Sequence, residues 1–552
     1  MINQSLLQKA RYEYKPLVPE LFLQELNSIS IKNEEPSSSS VDNQEIKGIF
    51  PDIYGSPAVS FTQGYNPNAT KPIKVGVLLS GGQAPGGHNV IAGLFDAMQR
   101  ANKDSVLYGF MRGTNGLLDR DYKVLTKDVI DSYRNTGGFD MILSGRTKIE
   151  KESDFEKALD TCRTLCLDAL VIIGGDDSNT NAAFLARYFK DNSYKTQVIG
   201  VPKTIDGDLR SPHVQMSFGF DTTTKTYSEE ISSLSRDTAS ACKYWQFIKL
   251  MGRSASHVTL ECALQTHPNI TLISEEVERD GKSLKDIIEY ICSVIVKRAD
   301  KGFNYGTILI PEGIIEFIPE IKTMIKELDD ILSKLDKDFS GCRTIQAKKE
   351  FLSSTLTSSS YKTLTSLPDN IIDELVSNRD PHGNIQVSSI DTEVLLSRMT
   401  ESRLSELKEQ GVYKGTFTSQ THFFGFEGRS AFPSNFDCNY CYSLGYTAFL
   451  LIAGGLTGYL CYINRLHLSP SKWNAGGIPL TSLMHMENRA GSYKPVIAKA
   501  LVDLNGKPYR YLCDKREEWG SETCYEYTGP VQYFGPGVLC DAISETLRIE
   551  NL

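Results

Sequence analysis

Short apolar runs that end in glycine- or aspartate-rich turns recur along the first part of this chain, and no other feature restricts its fold as strongly. Ile73 to Leu79 is mostly apolar, stops at Ser80-Gly81-Gly82, and is followed by helical spacing over 88–101. Ala169 to Ile173 runs into Gly174-Gly175-Asp176-Asp177, and a helix is expected over 179–189. Val198 to Val201 runs into Pro202-Lys203-Thr204-Ile205-Asp206-Gly207-Asp208. Two further strands are expected at 270–273 and 307–310, the second ending in Pro311-Glu312-Gly313. Strands alternating with helices form right-handed βαβ units, so the expected class is α/β with mainly parallel sheets covered on both faces. Ligands on such sheets sit at the carboxyl ends of the strands, where these turns fall.

The 552 residues suffice for three to four domains of roughly 150 residues, or two large ones with additions. Residues 1–70 lack strong periodicity and read as an N-terminal extension, with Glu34 to Ser40 as a flexible connector. Residues 71–240 are expected to form a large α/β domain completed by 455–552, and 241–318 a smaller one completed by 401–454. The stretch 319–400 reads as a helical insertion: 320–337 is amphipathic and charged, 353–360 is rich in Ser and Thr, and Pro381-His382-Gly383-Asn384 is a turn.

Hydrophobic residues make up 40% and charged residues 23% of the chain, as in ordinary folded proteins. A net charge of −9 with no basic block argues against nucleic acid as a partner, while a few cations in one cleft still suffice for a small polyanion. No early stretch resembles a signal peptide. Gly445 to Ile463 is uncharged, but Gly454, Gly455 and Gly458 divide it into a buried helix and a buried strand, so no membrane span is expected. Twelve cysteines are too sparse for a disulfide scaffold. Cys438 and Cys441 form a C-x-x-C pair with no second pair, and read as small buried residues on one helix. The compartment expected is reducing and cytoplasmic.

Three groups of residues carry chemistry. The loop Gly81-Gly82-Gln83-Ala84-Pro85-Gly86-Gly87 lies between a strand and a helix, where backbone N–H groups and the helix start favour an anion. It matches neither common nucleotide fingerprint, and the Gly-Lys-Ser at Gly281 lacks its upstream glycine because position 276 is Glu276. Asp176 and Asp177 form one carboxylate cluster and Asp206 and Asp208 another. Such groups hold Mg²⁺ beside phosphates or accept a proton, and any one of them alone could be a helix or turn cap. Two clusters plus the glycine loop, all at strand ends, favour phosphoryl transfer. Lys203, Lys243, Arg253 and Arg429 supply cations for phosphate contacts.

Taken in order, Gly174-Gly175-Asp176-Asp177-Ser178, Pro202 to Asp208, Met251-Gly252-Arg253 and Pro311-Glu312-Gly313 resemble the phosphofructokinase family, and within it the long pyrophosphate-dependent branch. The resemblance spans roughly 50–550 and implies two Rossmann-like domains. It also implies reversible transfer of a phosphoryl group from Mg-diphosphate to the 1-hydroxyl of fructose 6-phosphate, giving fructose 1,6-bisphosphate and phosphate. On this resemblance Gly82 contacts diphosphate, Asp176 holds Mg²⁺ and Asp206 is the base. Thr204, Ile205 and Asp206, Met251 to Arg253, Glu312, and Phe426, Glu427, Gly428 and Arg429 line the sugar-phosphate site. Lys243 and Tyr244 match positions that reach a neighbouring subunit's site, which implies a homodimer with shared active sites. The large domain is then the diphosphate and Mg²⁺ side, and the smaller one the sugar-phosphate side.

Donor choice rests on two positions, each typically glycine in ATP-dependent relatives. Asp177 would place a carboxylate where the α-phosphate of ATP should lie, and Lys203 would bring positive charge to diphosphate and its transition state. Phe426 stands where relatives usually carry tyrosine, keeping the ring and losing a hydroxyl donor. The competing readings are an ATP-dependent kinase and a non-catalytic regulatory subunit. A regulatory chain should have lost Asp176, Asp177 and Asp206, which are all present. A Rossmann dehydrogenase is disfavoured by the missing G-x-G-x-x-G.

Overall fold

The computed structural model describes all residues except 1–3, 40, 340, 341, 343, 378–389 and 490–491, so the turn expected at 381–384 lies outside the described residues. Its strands are, in chain order, β1 (Ile29–Pro36), β2 (Pro57–Gln63), β3 (Lys74–Leu79), β4 (Val106–Phe110), β5 (Tyr122–Val124), β6 (Ala169–Gly174) and β7 (Gln197–Pro202). There follow β8 (Trp245–Leu250), β9 (Ile270–Thr271), β10 (Gly306–Pro311), β11 (Ser419–Phe424), β12 (Tyr459–Asn464), β13 (Asn474–Pro479), β14 (Met484–Arg489) and β15 (Ser492–Ile497). Chain contacts divide the molecule into two units: 1–226 with 426–500 and 531–551, and 227–425 with 501–530.

The first unit is built on a nine-stranded sheet in the order β1-β2-β13-β12-β7-β6-β3-β4-β5. Its centre, β12-β7-β6-β3-β4, is parallel, and the strands beyond it on both sides are antiparallel. Every residue of β6 is buried, as expected for a parallel strand covered on both faces. The chain runs from β3 outward to β4 and later returns to β6 on the other side of β3. That reversal opens a crevice at the carboxyl ends of β3 and β6, where Gly81-Gly82 and Gly175-Asp176 begin. Glu34 to Pro36, expected as a flexible connector, instead belong to β1, which pairs with β2 at the sheet edge. Residues 426–454 also join this first unit rather than the smaller one. The cause is helix Asn435–Ala453, which packs along helix Gly87–Ala101.

That helix pair rests on two glycines. A methyl group on Gly445 would lie 2.3 Å from the Val90 carbonyl oxygen and 2.4 Å from the Leu94 nitrogen, and one on Gly93 would lie 2.1 Å from the Tyr442 carbonyl oxygen. The clashing atoms are backbone and cannot rotate away. Gly445→Ala should therefore destabilise the protein by about 1–3 kcal/mol, the usual cost of overpacking, read as a lower thermal unfolding midpoint. An unchanged midpoint would show that the helices can part without penalty. Cys438 and Cys441 are buried on the same helix; Cys438 Sγ lies 2.9 Å from Arg11 Nη2. The uncharged stretch 445–463 is, as expected, a helix end followed by β12, and among the described residues no helix is long and apolar enough to cross a membrane.

The second unit has a four-stranded, all-parallel sheet in the order β11-β8-β10-β9. Residues 319–400 are helical in their described parts, with helices Pro319–Phe339, Ile345–Thr355, Ser358–Thr365, Asp369–Ser377 and the start of Thr392–Glu409. Ile321, Met324, Leu328, Leu352, Ile372 and Leu395 belong to the same hydrophobic core as β8 and β10. The insertion is thus part of this unit's core.

Candidate active site

In the first unit the residues expected at strand ends converge on the glycine loop. Ser80 continues β3 by donating its N–H to the Ile173 carbonyl (2.9 Å), and Gly81 donates to the Gly145 carbonyl (2.9 Å). Ser144 Oγ donates to the Gly81 carbonyl (2.6 Å), so the segment 144–148 is laid against the loop. Lys203, at the end of β7, is buried and donates from Nζ to the Gly82 carbonyl (2.8 Å). A methyl group on Gly82 would stand 3.6 Å from the Arg429 guanidinium and 3.8 Å from that of Arg146, and one on Gly81 would stand 3.0 Å from Lys203 Nζ. The bare face of the loop is therefore surrounded by three cations, a cradle that suits a compact polyanion.

The carboxylates stand beside this cradle. Asp176 and Asp177 open helix Asp176–Asp191 in its first turn, where the helix dipole favours negative charge. The helix starts earlier than the expected 179 because these two acids are in it. Asp177 pairs with Lys148 at 3.2 Å and Asp176 lies 3.7 Å from Lys499. Asp206 is held on a tight turn, its N–H donating to Thr204 Oγ1 (3.1 Å). Burial, with Asp206 and then Asp176 nearby, raises the Asp208 carboxyl above the usual carboxylate range, and Lys499 and Thr204 partly offset this. Burial also lowers Lys203 to about 8, against the opposing pull of Asp206 and Asp176; Arg429 and Arg146 push it further down. The site thus contains a lysine that stays charged at neutral pH and loses its proton as pH rises through about 8.

Arg429 is placed by a buried network. Asp437, near the start of helix Asn435–Ala453, accepts from the N–H groups of Gly219 (3.1 Å) and Thr222 (2.9 Å) and from Thr222 Oγ1. Thr223 Oγ1 then donates to the Gly428 carbonyl (3.0 Å), next to Arg429. Phe426 is exposed, and the Arg429 guanidinium lies 4.8 Å above its ring, so the ring supports the arginine by a cation–π contact.

In the second unit three strand ends meet. Met251 donates its N–H to the Phe424 carbonyl (3.0 Å) and Glu312 its N–H to the Leu250 carbonyl (3.0 Å). Glu312 Oε2 accepts from the Gly252 N–H (3.0 Å), in a turn whose φ of +133° favours glycine. Met251 and Glu312 are buried and Arg253 is exposed. Lys243 and Tyr244 are not with them. They precede β8, with Lys243 Nζ 4.6 Å above the Tyr244 ring, and sit at its opposite end, about 20 Å away at 3.3 Å per residue.

Arg146, Lys148 and Lys499 were not expected here. Ser144-Gly145-Arg146-Thr147-Lys148 has two closely spaced cations beside a glycine, a signal that could have been read; Lys499 lies in no motif. Among the described residues no group of three or more His, Cys, Asp or Glu side chains is arranged to hold a metal alone. Asp176, with Asp206 and Asp208 near, offers hard oxygen donors, which suits an ion such as Mg²⁺ that takes one or two carboxylates and completes its shell with phosphate oxygens and water.

Residues 74–359 match the phosphofructokinase family. The chain is 52% identical over 548 residues to a pyrophosphate–fructose 6-phosphate 1-phosphotransferase of Porphyromonas gingivalis, covering 99% of both chains. It is 49% identical over 556 residues to the protein of that name from Treponema pallidum, covering 99% of this chain and 97% of the other. Its fold is similar to the solved pyrophosphate-dependent phosphofructokinase of Nitrosospira multiformis, with a TM-score of 0.54, 17% identity, and 88% and 97% of the two chains covered.

Proposed function

The chain belongs to the phosphofructokinase family, and on that premise we propose that it transfers a phosphoryl group reversibly between Mg-diphosphate and the 1-hydroxyl of fructose 6-phosphate. The observation that carries this reading is the cradle at Gly82: Lys203 at 2.8 Å from its carbonyl, and the Arg429 and Arg146 guanidiniums facing its bare side. Full-length relatives at about half identity carry that activity in their names.

Asp206 accepts the proton of the sugar 1-hydroxyl, whose oxygen attacks the terminal phosphorus of diphosphate. The bond from that phosphorus to the bridging oxygen breaks, and inorganic phosphate leaves with the electron pair. Lys203, Arg146 and Arg429 stand where negative charge collects on the departing oxygens, which is the term that lowers such barriers most. Asp176 would hold Mg²⁺, whose charge neutralises diphosphate oxygens when it is bound. Thr204 and Ile205 shape the turn that aims Asp206. Met251, Gly252, Arg253, Glu312 and the segment Phe426 to Arg429 bind fructose 6-phosphate. Lys243 and Tyr244, a strand length from Met251 in their own chain, serve the site of a second copy in a homodimer. The cytoplasmic setting rests on the sequence, whose twelve cysteines are too sparse for a disulfide scaffold.

Asp177 is the discriminating residue. Purified protein should phosphorylate fructose 6-phosphate with diphosphate, with ATP giving no rate above background. Asp177→Gly should narrow the preference for diphosphate over ATP by about tenfold or more, as the carboxylate that occupies the place of the α-phosphate of ATP is lost. A wild type that prefers ATP would overturn this reading. Activation of a partner by an otherwise inactive chain would replace it with the regulatory-subunit reading.

A further inference from the structure

Lys499 belongs to none of the motifs that define the site, yet the fold delivers it to the carboxylates. At the end of β15 and just past it the chain is fixed at three points. Ile497 N–H donates to Thr180 Oγ1 (3.1 Å), one turn along the helix that begins at Asp176. Ala498 N–H donates to the Leu483 carbonyl (2.8 Å), and Ala500 N–H to the Asp208 carbonyl (2.7 Å). The residue between the last two is therefore held between the Asp176 and Asp208 segments. Its Nζ lies 3.7 Å from Asp176 Oδ2, with a third of the side chain exposed. Lys148 pairs with Asp177, Lys203 donates to the Gly82 carbonyl and also feels Asp206 and Asp176, and Lys499 acts on Asp208 as well as on Asp176.

We propose that Lys499 is a positioning cation that makes divalent-metal binding at Asp176 conditional on diphosphate. A metal ion bound directly to Asp176, at roughly 2.1 Å, would stand within a few ångströms of the ammonium group and be repelled by it. Diphosphate brings enough negative charge to reverse that balance, and the ammonium then stabilises the anionic ligand. The site would take metal and diphosphate as one unit, and bare metal would bind weakly. The inference rests on the reading that Asp176 holds the metal, and its test separates the two.

Mn²⁺, which gives an EPR signal when free, is titrated into the full-length protein with and without methylenediphosphonate, a diphosphate that cannot be cleaved. In the wild type the diphosphonate should tighten Mn²⁺ binding by about tenfold or more. Lys499→Met should tighten Mn²⁺ binding without diphosphonate by a similar factor of about ten and shrink the coupling accordingly, while Lys499→Arg keeps the wild-type coupling. Lys499→Gln repeats the measurement with a polar side chain should the methionine variant fold poorly. Mn²⁺ affinity unchanged or weakened in the charge-removing variants overturns the role of Lys499. Asp176→Asn should abolish the Mn²⁺ site in both conditions. If it does so while Lys499→Met changes nothing, only the Lys499 inference fails. If Asp176→Asn binds Mn²⁺ like the wild type, the metal assignment itself fails.

Discussion

Asp206→Ala should lower kcat by about 10²–10⁴ or more in both directions of the reaction, the range for loss of a general base, with KM for fructose 6-phosphate changing far less. The sugar hydroxyl is a poor nucleophile with its proton in place, and phosphoryl transfer leaves the protein little to do beyond positioning, proton removal and charge stabilisation. Asp206 sits on a turn whose own N–H is tied to Thr204 Oγ1, so removing its carboxylate leaves that backbone bond intact. Lys203 and Asp208 remain beside it. The variant should therefore fold and bind diphosphate normally, which a titration with methylenediphosphonate checks. Near-normal turnover in a folded Asp206→Ala protein would sink the assignment of the base.

Much of the parallel scaffold was legible because its strands are buried on both faces and therefore read as continuous apolar runs. β3, β6, β7 and β10 all match their expected positions to within a residue or two. β8 did not announce itself, because Gln246 and Lys249 interrupt its apolar run. Both are buried and satisfied only by tertiary partners: Gln246 by Thr238 and His422, and Lys249 by Glu393 (2.9 Å) and the Ile390 carbonyl (3.1 Å). No local pattern could show that a segment more than a hundred residues later would neutralise that lysine. β1 and β2 were missed for a related reason. β1 is the edge strand, largely exposed and partly charged, and β2, which lies between it and β13, has only two buried residues in its seven, so both hold their places through tertiary pairing.

The site divides in the same way. Its acidic turns and glycine loop are local motifs, since a strand end, a tight turn and a helix start must be contiguous in sequence. The cations that balance them come from separate segments. Arg146 and Lys148 are brought in by the bridge between Ser80 and Gly145, and Lys499 by the anchoring of 497–500. Asp437 has a role in placing Arg429 that depends on a helix start more than two hundred residues earlier. Charge balance in a cleft is a tertiary property, so sequence motifs revealed the acids more fully than the bases.

Lys203 carries the second large effect, and its expected pH dependence tests its charge directly. Burial lowers it to about 8, so the free enzyme should lose this positive charge as pH rises through about 8. kcat/KM for diphosphate, which reports the free enzyme, should fall above that pH and level off below it. Bound diphosphate favours the protonated amine, so the limb in kcat should lie at higher pH than the limb in kcat/KM. Lys203→Met keeps much of the length and removes the charge. It should lower kcat/KM for diphosphate by about 10²–10³ at neutral pH, the cost of one preorganised electrostatic contact in a water-poor site. It should also abolish the alkaline limb near 8. A limb that persists in Lys203→Met belongs to another group, and an activity within about threefold of wild type would mean that Arg146 and Arg429 alone supply the charge stabilisation.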